Sequence, residues 1–267
     1  MVRAAMAGIA GRMGSRIAQI IGETEGIEII GGFEHPEYPG IGGEIAEVIG
    51  GSPTGMRIDG SIEDVLGKAD VVIDFTNAAA SLKHLRAAAS AGKPMVIGST
   101  GFSTEQTQQA RELAGNVPCV LAPNMSMGVN VLFKVVADVA RLLGEGFDIE
   151  IVETHHRFKK DAPSGTALKL AQVVADAMDR NLQEVGVYAR HGLIGERSGK
   201  EIGIQTLRGG DIVGEHTVLF AGQGERIELT HRAHSRDNFA RGAVRAAMWV
   251  VNQPPGLYDM QNVLGIK

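Results

Sequence analysis

The chain has 267 residues, of which 44% are hydrophobic and 21% are charged, and its formal net charge is −5 at pH 7. A chain of this size and composition can bury a full hydrophobic core in one large domain or two modest ones, and it is neither disordered nor fibrous in character. The negative charge argues against a general nucleic-acid binder or membrane-surface binder, because those partners demand a basic face.

The single cysteine, Cys119, excludes an intrachain disulfide and a metal site built from several cysteines. The first predicted strand, Val2 to Ala7, has no charged leader before it, and no segment reaches membrane-spanning length. We therefore expect a soluble, cytoplasmic protein without a bound metal.

The first half of the chain alternates short apolar runs with helical patterns, which is typical of a doubly wound α/β fold with a parallel sheet. Apolar residues from Met13 to Ile21 recur at helical spacing. The glycine-rich segment from Gly40 to Gly60 is assigned to loops with a weak strand at Met56 to Asp59. The predicted strands are Val2 to Ala7, Ile27 to Phe33, Asp70 to Phe75, Pro94 to Gly98 and Val117 to Ala122.

After Pro123 the pattern becomes that of an α+β domain. Helices are predicted from about Asn130 to Leu143, from near Gly165, and from Asn238 to Val251. A strand is predicted from Asp148 to Thr154. Three further strands, which their closeness and intervening glycines predict to form antiparallel hairpins, are Glu201 to Arg208, Ile212 to Ala221 and Glu225 to Ala233.

Three glycines, Gly8, Gly11 and Gly14, lie between the first predicted strand and the first helix. A dinucleotide fold needs glycines there so that the pyrophosphate can approach the backbone. The motif departs from G-x-G-x-x-G, and an ordinary strand-to-helix turn would also explain it. Glu34 ends the second strand, where a carboxylate would bind the adenosine ribose hydroxyls, although a solvated acid is common at such a place. Together these residues predict a dinucleotide site.

The identity of the dinucleotide depends on Glu34, because a carboxylate there repels a 2′-phosphate and favours NADH. Arg12 and His35 could still accommodate the phosphate of NADPH, so both cofactors stay open. The groups Asp74 to Thr76 and Gly98 to Phe102 follow predicted strands at the edge where such sheets bind ligands. They would border the nicotinamide, although turn chemistry alone explains them nearly as well.

A basic segment follows the strand that begins at Asp148. Five of the six residues from His155 to Lys160 can carry positive charge, and Ser164 to Thr166 are predicted to cap a helix start whose amides and dipole favour anions. A short basic run is usually a solvated face. Because a capped helix follows directly, we predict a pocket for a small polyanion, with histidine and lysine side chains that can donate protons.

Five blocks resemble the dihydrodipicolinate reductase family, also called 4-hydroxy-tetrahydrodipicolinate reductase. The blocks occur in the family's order and span nearly the full chain. They are GIAGRMG from Gly8, IDFT from Ile73, GSTGF from Gly98, APNMSMGVN from Ala122 and ETHHRFKKDAPSGTAL from Glu153. The last block is highly specific, whereas the glycine motif is not.

The resemblance implies NADH- or NADPH-dependent reduction of a cyclic dicarboxylic imine, 4-hydroxy-tetrahydrodipicolinate, to tetrahydrodipicolinate in the diaminopimelate and lysine pathway. It implies a nucleotide-binding domain of residues 1–126 and 237–267. Residues 127–236 would form an α+β substrate-binding and oligomerisation domain with a mixed sheet, and the protein would be a homotetramer.

The resemblance also assigns roles to individual residues. His155 would be the acid/base and Lys159 the proton donor. The implied substrate-binding residues are His156, Gly165 and Thr166. The implied cofactor-binding residues are Gly8, Ile9, Ala10, Gly11, Arg12, Met13, Glu34, His35, Gly98, Ser99, Thr100, Ala122, Pro123, Asn124 and Met125. His35 stands where many members have arginine, which weakens any expectation of strong NADPH binding.

Two other functions stay open. An amino-acid dehydrogenase acting on aspartate or homoserine also joins a nucleotide domain to an α+β domain, but the pair His155 and His156 argues against it. A sensor that binds NADH without reacting would need a DNA-binding or partner segment, and the sequence shows none. The residues do not decide whether His155 or Lys159 transfers the proton, nor whether the hydrated or dehydrated ring is the substrate.

Overall fold

The computed structural model describes residues 1–266. It forms two compact units, one of Met1–Met127 with the residues from Asp237 onward, and one of Gly128–Arg236. The chain passes from the first unit to the second between residues 127 and 128, one residue after the predicted boundary at 126/127. It returns to the first unit between residues 236 and 237, where the second boundary was predicted. Within residues 1–266, no helix combines the length and the apolar character needed to cross a membrane.

The elements follow the predicted alternation, with small differences at their ends and with several short elements that were not predicted. The strands are β1 (Val2–Ala7), β2 (Ile27–Phe33), β3 (Ile58–Asp59), β4 (Val71–Asp74), β5 (Met95–Ile97), β6 (Pro118–Leu121), β7 (Asp148–His155), β8 (Gly186–Val187), β9 (Ile202–Arg208), β10 (Gly214–Ala221), β11 (Arg226–Ala233) and β12 (Gly256–Tyr258). The helices are α1 (Arg12–Gly22), α2 (Ala46–Ile49), α3 (Glu63–Leu66), α4 (Ala78–Ser90), α5 (Thr104–Ala114), α6 (Met127–Leu143), α7 (Gly165–Ala177), α8 (Leu182–Val185), α9 (Asp237–Val250) and α10 (Met260–Leu264). The glycine-rich segment predicted as loops contains α2, and α6 begins at Met127 rather than Asn130. Among the short elements that were not predicted are β8, β12, α8 and α10.

The first unit is built on a seven-stranded sheet in the order β12-β6-β5-β4-β1-β2-β3. Every neighbouring pair of strands is parallel. Strands of this kind are buried on both faces, and Ala4 to Ala7 of β1 are fully buried. Helices α1, α9 and α10 pack on one face, and α3, α4 and α5 pack on the other. The predicted doubly wound α/β fold is therefore confirmed.

The strand order reverses at β1, which lies between β2 and β4. In open parallel sheets, ligands bind at the carboxyl ends of the strands beside such a reversal. Gly8 follows β1, Glu34 follows β2, and Asp74 ends β4. The topology thus brings three sequence-distant segments to one edge of the sheet.

The second unit contains a five-stranded mixed sheet in the order β11-β10-β7-β9-β8. Strand β7 is parallel to β9 and antiparallel to β10. The prediction of a hairpin between segments 201–208 and 212–221 is wrong, because β7 lies between them; β10 and β11 do form a hairpin. Ile149, Ile151 and Glu153 of β7 are buried, and a buried central strand needs a hydrogen-bonding neighbour on each side. The predicted mixed sheet is confirmed.

Helices α6 and α7 cover one face of this sheet. Their buried residues, including Val136 and Leu170, pack against Ile151 and Phe220 of the strands. A loop of residues 156–164 connects the end of β7 to the start of α7. The basic segment therefore lies between the end of a central strand and the start of a helix.

Candidate active site

The turn after β1 is shaped by its glycines. Gly8 has a φ of +69°, a conformation that disfavours side chains, and its carbonyl accepts the Gly11 N–H at 3.0 Å. A Cβ atom at Gly14 would lie 2.0 Å from the Gly8 oxygen, so only glycine lets α1 pack this closely on the turn. A Cβ atom at Gly8 would in turn lie 3.0 Å from Cγ2 of Thr76.

The start of α1 is suited to an anion. Its N-cap residue, Gly11, supplies no side-chain hydrogen bond, and the first turn contains no acidic residue. The amides of Arg12 and Met13 have no acceptor within the helix, and the helix dipole places partial positive charge there. The Arg12 side chain is exposed, whereas that of Met13 is half-buried.

Glu34 lies against this turn. Its Oε1 accepts the backbone N–H of Ala10 at 2.9 Å, and its own N–H donates to the Asp59 carbonyl. The neighbouring His35 is exposed. The Ile9 side chain is fully buried in the core, so this residue can offer a ligand only its backbone.

The segments after β5 and β6 lie at the same edge of the sheet. The Ala122 N–H donates to Ile97, whereas the side chains of Ala122 and Met125 are buried. Asn124 Oδ1 accepts the N–H of Ser126 at 2.9 Å. Residues Ser99, Thr100 and Pro123 contribute to the wall of a cavity of about 420 Å³. Thr100 and Pro123 are exposed there.

The carboxylate of Asp74 lies beneath these segments and is fully buried. It accepts the hydroxyl of Thr76 at 2.6 Å, and its Oδ2 lies 2.7 Å from Nδ1 of His84. Ser81 bridges to Ser99 at 2.8 Å. Asp74 is therefore occupied in fixing the loops at this edge. His84 could not be identified from the sequence, because a single histidine in an alanine-rich helix belongs to no recognisable motif.

In the second unit, His155 ends β7 with its ring close to Glu153. Nδ1 of His155 lies 2.5 Å from Oε2 of Glu153, whose side chain is fully buried. Burial would raise the pKa of Glu153, but hydrogen bonds from Arg208, His155 and Ser164 hold it below its usual value. Burial lowers the pKa of His155, and Lys159 and Arg208 lower it further, against the raising effect of Glu153.

The rest of the basic loop is fixed by local contacts. Lys159 Nζ donates to both carboxylate oxygens of Asp161, at 2.8 and 2.9 Å, and these bonds lower the pKa of Asp161. The backbone N–H of His156 donates to Ile212 at 2.7 Å. Nδ1 of His156 is buried and has no hydrogen-bond partner among residues 1–266.

The predicted capped helix start is present at α7. Ser164 Oγ accepts the N–H of Ala167 at 3.2 Å, and the first turn contains no acidic residue. Gly165 is exposed and Thr166 is half-buried. The Ser164 hydroxyl also lies 3.1 Å from Nε2 of His216, whose pKa burial lowers to about 3.

Three residues of this cluster carry no sequence signal that predicts a role in the site. Glu153 is only the first residue of a motif, Arg208 is only the end of a predicted strand, and His216 lies unremarked within another. Strand register explains their positions, because His155 pairs with Arg208 and Glu153 pairs with His216. No local pattern in the sequence marks either of the distant residues.

Comparison with known proteins identifies the family. Residues 2–125 match the family model "Dihydrodipicolinate reductase, N-terminus", and residues 128–264 match "Dihydrodipicolinate reductase, C-terminus". The chain is 73% identical to a 4-hydroxy-tetrahydrodipicolinate reductase of Syntrophobacter fumaroxidans and 57% identical to that of Syntrophus aciditrophicus, over the full length of each protein.

Solved structures show the same architecture. A dipicolinate-bound dihydrodipicolinate reductase from Paenisporosarcina sp. TG-14 has a TM-score of 0.77 and 28% identity, covering 98% of this chain and 99% of that one. An amine dehydrogenase from Mycobacterium smegmatis has a TM-score of 0.61 and 14% identity, covering 96% of this chain and 94% of that one, and shares the fold alone. On the matches to both halves and the full-length identities, the chain belongs to the dihydrodipicolinate reductase family.

Proposed function

We propose that this chain reduces 4-hydroxy-tetrahydrodipicolinate to tetrahydrodipicolinate with NADH or NADPH, in the diaminopimelate and lysine pathway. One observation carries the assignment: the loop that begins directly after His155 and bears Lys159 runs into the anion-favouring start of α7. A dicarboxylic substrate needs both features, a site for its charge and a source for a proton. Membership of the reductase family, with both family models matched, supports the same reaction.

The first unit fits a dinucleotide. Because Gly14 has no side chain, space that a Cβ atom would fill stays open beside the turn after β1. Helix α1 begins without a side-chain cap, and Glu34 lies beside the same turn. Gly8 to Met13 would hold the diphosphate. Glu34 and His35 would hold the adenosine ribose. Residues 98–100 and 122–125 would border the nicotinamide.

The bound cofactor supplies the hydride, and Glu34 decides which cofactor binds better. Its carboxylate can accept a ribose hydroxyl, and it repels a 2′-phosphate. Arg12 is exposed beside the start of α1, where its charge could offset that repulsion. We therefore expect NADH to be used more efficiently, with NADPH as a second substrate.

The second unit provides the charge that a dicarboxylate requires. Gly165 and Thr166 at the start of α7 would hold one carboxylate, because helix N-termini favour anions. His156 and Lys159 would neutralise the other. Lys159 contacts Asp161, which is itself exposed, so a substrate carboxylate competes for an ammonium group that is already oriented.

Reduction of the ring adds a proton as well as a hydride, and His155 or Lys159 would supply that proton. The lowered pKa of His155 describes the protein without substrate. Two substrate carboxylates nearby would raise this pKa again, because negative charge favours the imidazolium ion. His155 ends β7 and Lys159 lies in the loop that follows it, so both residues lie on the segment that leads into the start of α7.

We also propose that the protein is a cytoplasmic homotetramer. Strand β11 forms one edge of the second sheet, and its outer side has no strand neighbour among residues 1–266. Edge strands are the usual places for strand pairing between subunits. Light scattering of the purified protein would give its mass, and a monomer would contradict this part of the proposal.

The reaction can be tested by following NADH oxidation with enzymatically generated cyclic imine, repeated with NADPH. We expect oxidation that depends on the imine and a higher kcat/KM for NADH. Homoserine with NAD+ serves as the control for an amino-acid dehydrogenase and should give no reduction. Absence of imine-dependent oxidation with both cofactors would overturn the proposed function.

A further inference from the structure

The carboxylate of Glu153 has an unusually complete set of donors for a buried side chain, which is 0% exposed. Oε2 lies 2.5 Å from His155 Nδ1 and accepts Nη1 of Arg208 at 2.8 Å. Oε1 accepts Nη2 of Arg208 and the N–H of Ser164, both at 2.9 Å, and the hydroxyl of Thr206 at 3.3 Å. The two oxygens thus join β7, β9 and the start of α7.

This geometry determines the protonation of the His155 ring. A carboxylate with a bidentate arginine partner stays ionised, and an ionised carboxylate can only accept hydrogen bonds. Nδ1 of His155 must therefore carry a proton and donate a hydrogen bond to Glu153. The other ring nitrogen, Nε2, is then the atom that gains or loses a proton.

The surroundings of Nε2 agree with this assignment. A Cβ atom at Gly214 would lie 3.0 Å from Nε2 of His155, so glycine at this position leaves space beside that nitrogen. The ring of His216, from the same strand as Gly214, meets that of His155 edge to face, with centroids 5.2 Å apart. The ring is therefore held on its Nδ1 side and one flank.

We infer that Glu153 and Arg208 are positioning residues for the reaction. Arg208 fixes the Glu153 carboxylate, which fixes the tautomer and orientation of His155. Through the N–H of Ser164, the same carboxylate ties that ring to the helix start proposed to bind substrate. The inference rests on the proposed function of His155, but the tautomer itself is a property of the free protein.

The charged and titratable groups that face His155 come from four elements. Glu153 lies on β7, Lys159 on the following loop, Arg208 on β9 and His216 on β10. Only Glu153 carries negative charge. Its removal therefore lowers the pKa of His155, because the two remaining charged neighbours, Lys159 and Arg208, both disfavour the imidazolium ion.

The direct test is nitrogen NMR of the protein labelled with 15N-histidine. In the wild-type protein we expect neutral His155 to carry its proton on Nδ1. In Glu153→Gln we expect a lower His155 pKa and a kcat reduced by roughly tenfold or more, since the ring is no longer held in one tautomer. NADH affinity should stay within about twofold, because the residues proposed for it belong to the other unit.

Glu150→Gln is the matched control. Glu150 lies on the same strand and is also paired with an arginine, Arg190, at 2.7 Å, but its side chain projects from the opposite face of β7. Glu150→Gln removes the same charge as Glu153→Gln but should leave the nitrogen chemical shifts and the pKa of His155 unchanged. Arg208→Lys, which keeps the charge but loses the bidentate contact, should show an intermediate loss of kcat.

Two results would overturn the inference. The first is a wild-type His155 whose neutral form carries the proton on Nε2, a measurement that needs no variant and no turnover. The second is a Glu153→Gln protein whose His155 pKa and kcat match those of Glu150→Gln. Failure of the wild-type protein to reduce the imine would instead contradict the proposed function and leave the tautomer result intact.

Discussion

The backbone N–H of Ala10 donates to Oε1 of Glu34 at 2.9 Å, so the acid at the end of β2 is held against the turn after β1. The carboxylate is thereby placed beside the uncapped start of α1. A negative charge so close to the proposed diphosphate site should influence which dinucleotide binds. It favours a free ribose hydroxyl over a 2′-phosphate.

We predict that Glu34→Gln shifts cofactor preference toward NADPH. The amide can still accept the Ala10 N–H but no longer repels a 2′-phosphate, so the ratio of kcat/KM for NADPH to that for NADH should rise by about tenfold, or about 1.4 kcal/mol. Initial rates with both cofactors measure it. Glu37→Gln, which removes an exposed acid from the same loop, should leave the ratio unchanged. An unchanged ratio in Glu34→Gln would remove this residue from cofactor selection.

The first unit could be predicted from sequence because its signals are local. Strands β1, β2, β4, β5 and β6 are each a short apolar run, and Gly8 and Gly14 mark the turn where the chain passes from β1 to α1. The short edge strand β12 has no such pattern and was not predicted. The second unit shows where such signals end. Arg208 and His216 reach Glu153 only through strand register, and that register depends on β7 lying between two strands that are neighbours in sequence. No pattern of residue types along the chain shows that β7 lies between β9 and β10.

We predict that Gly14→Ala severely weakens NADH binding. The added Cβ would lie 2.0 Å from the Gly8 carbonyl oxygen, so the turn or α1 must move, at a cost of about 1–3 kcal/mol in the free energy of unfolding. Gly22→Ala is the control in the same helix, because nothing lies within 4 Å of a Cβ at Gly22. That change should be neutral or stabilise by up to about 1 kcal/mol. Urea unfolding and NADH fluorescence titration distinguish the two, and equal behaviour would contradict the close packing.

We predict that His155→Ala and Lys159→Ala each reduce kcat by at least about a hundredfold, as expected for loss of a proton-transfer group. NADH affinity should remain nearly intact. Lys160→Ala removes an exposed charge from the same loop and should keep most of the wild-type kcat. Steady-state kinetics with the cyclic imine provide the measurement, and wild-type turnover in both His155 and Lys159 variants would exclude the assignment.

The buried ring of His216 should make the protein sensitive to acid. Burial lowers its pKa to about 3, whereas in the unfolded chain it titrates near its usual value of about 6.5. Between these values only the unfolded chain binds the proton. This ring therefore lowers the free energy of unfolding by up to about 1.4 kcal/mol for each unit by which the pH is lowered. His216→Gln should make the decline shallower between about pH 6.5 and 4.5. Urea unfolding at several pH values measures the slope, which the exposed control His191→Gln should not change.

A planar dicarboxylate tests whether the basic loop and the start of α7 act together. We predict that pyridine-2,6-dicarboxylate competes with the imine and raises Tm most when NADH is present; at a hundred times its Kd, one bound ligand adds about 2.7 kcal/mol to the free energy of unfolding. The relative from Paenisporosarcina was solved with dipicolinate, which is this compound. Pyridine-2-carboxylate, which has one carboxylate, should raise Tm much less. In Lys159→Ala, the difference between the Tm increases caused by the two ligands should be mostly lost. Equal stabilisation by both ligands would mean that only one carboxylate is bound. It would contradict the proposal that the basic loop and the start of α7 each bind one carboxylate of the same substrate.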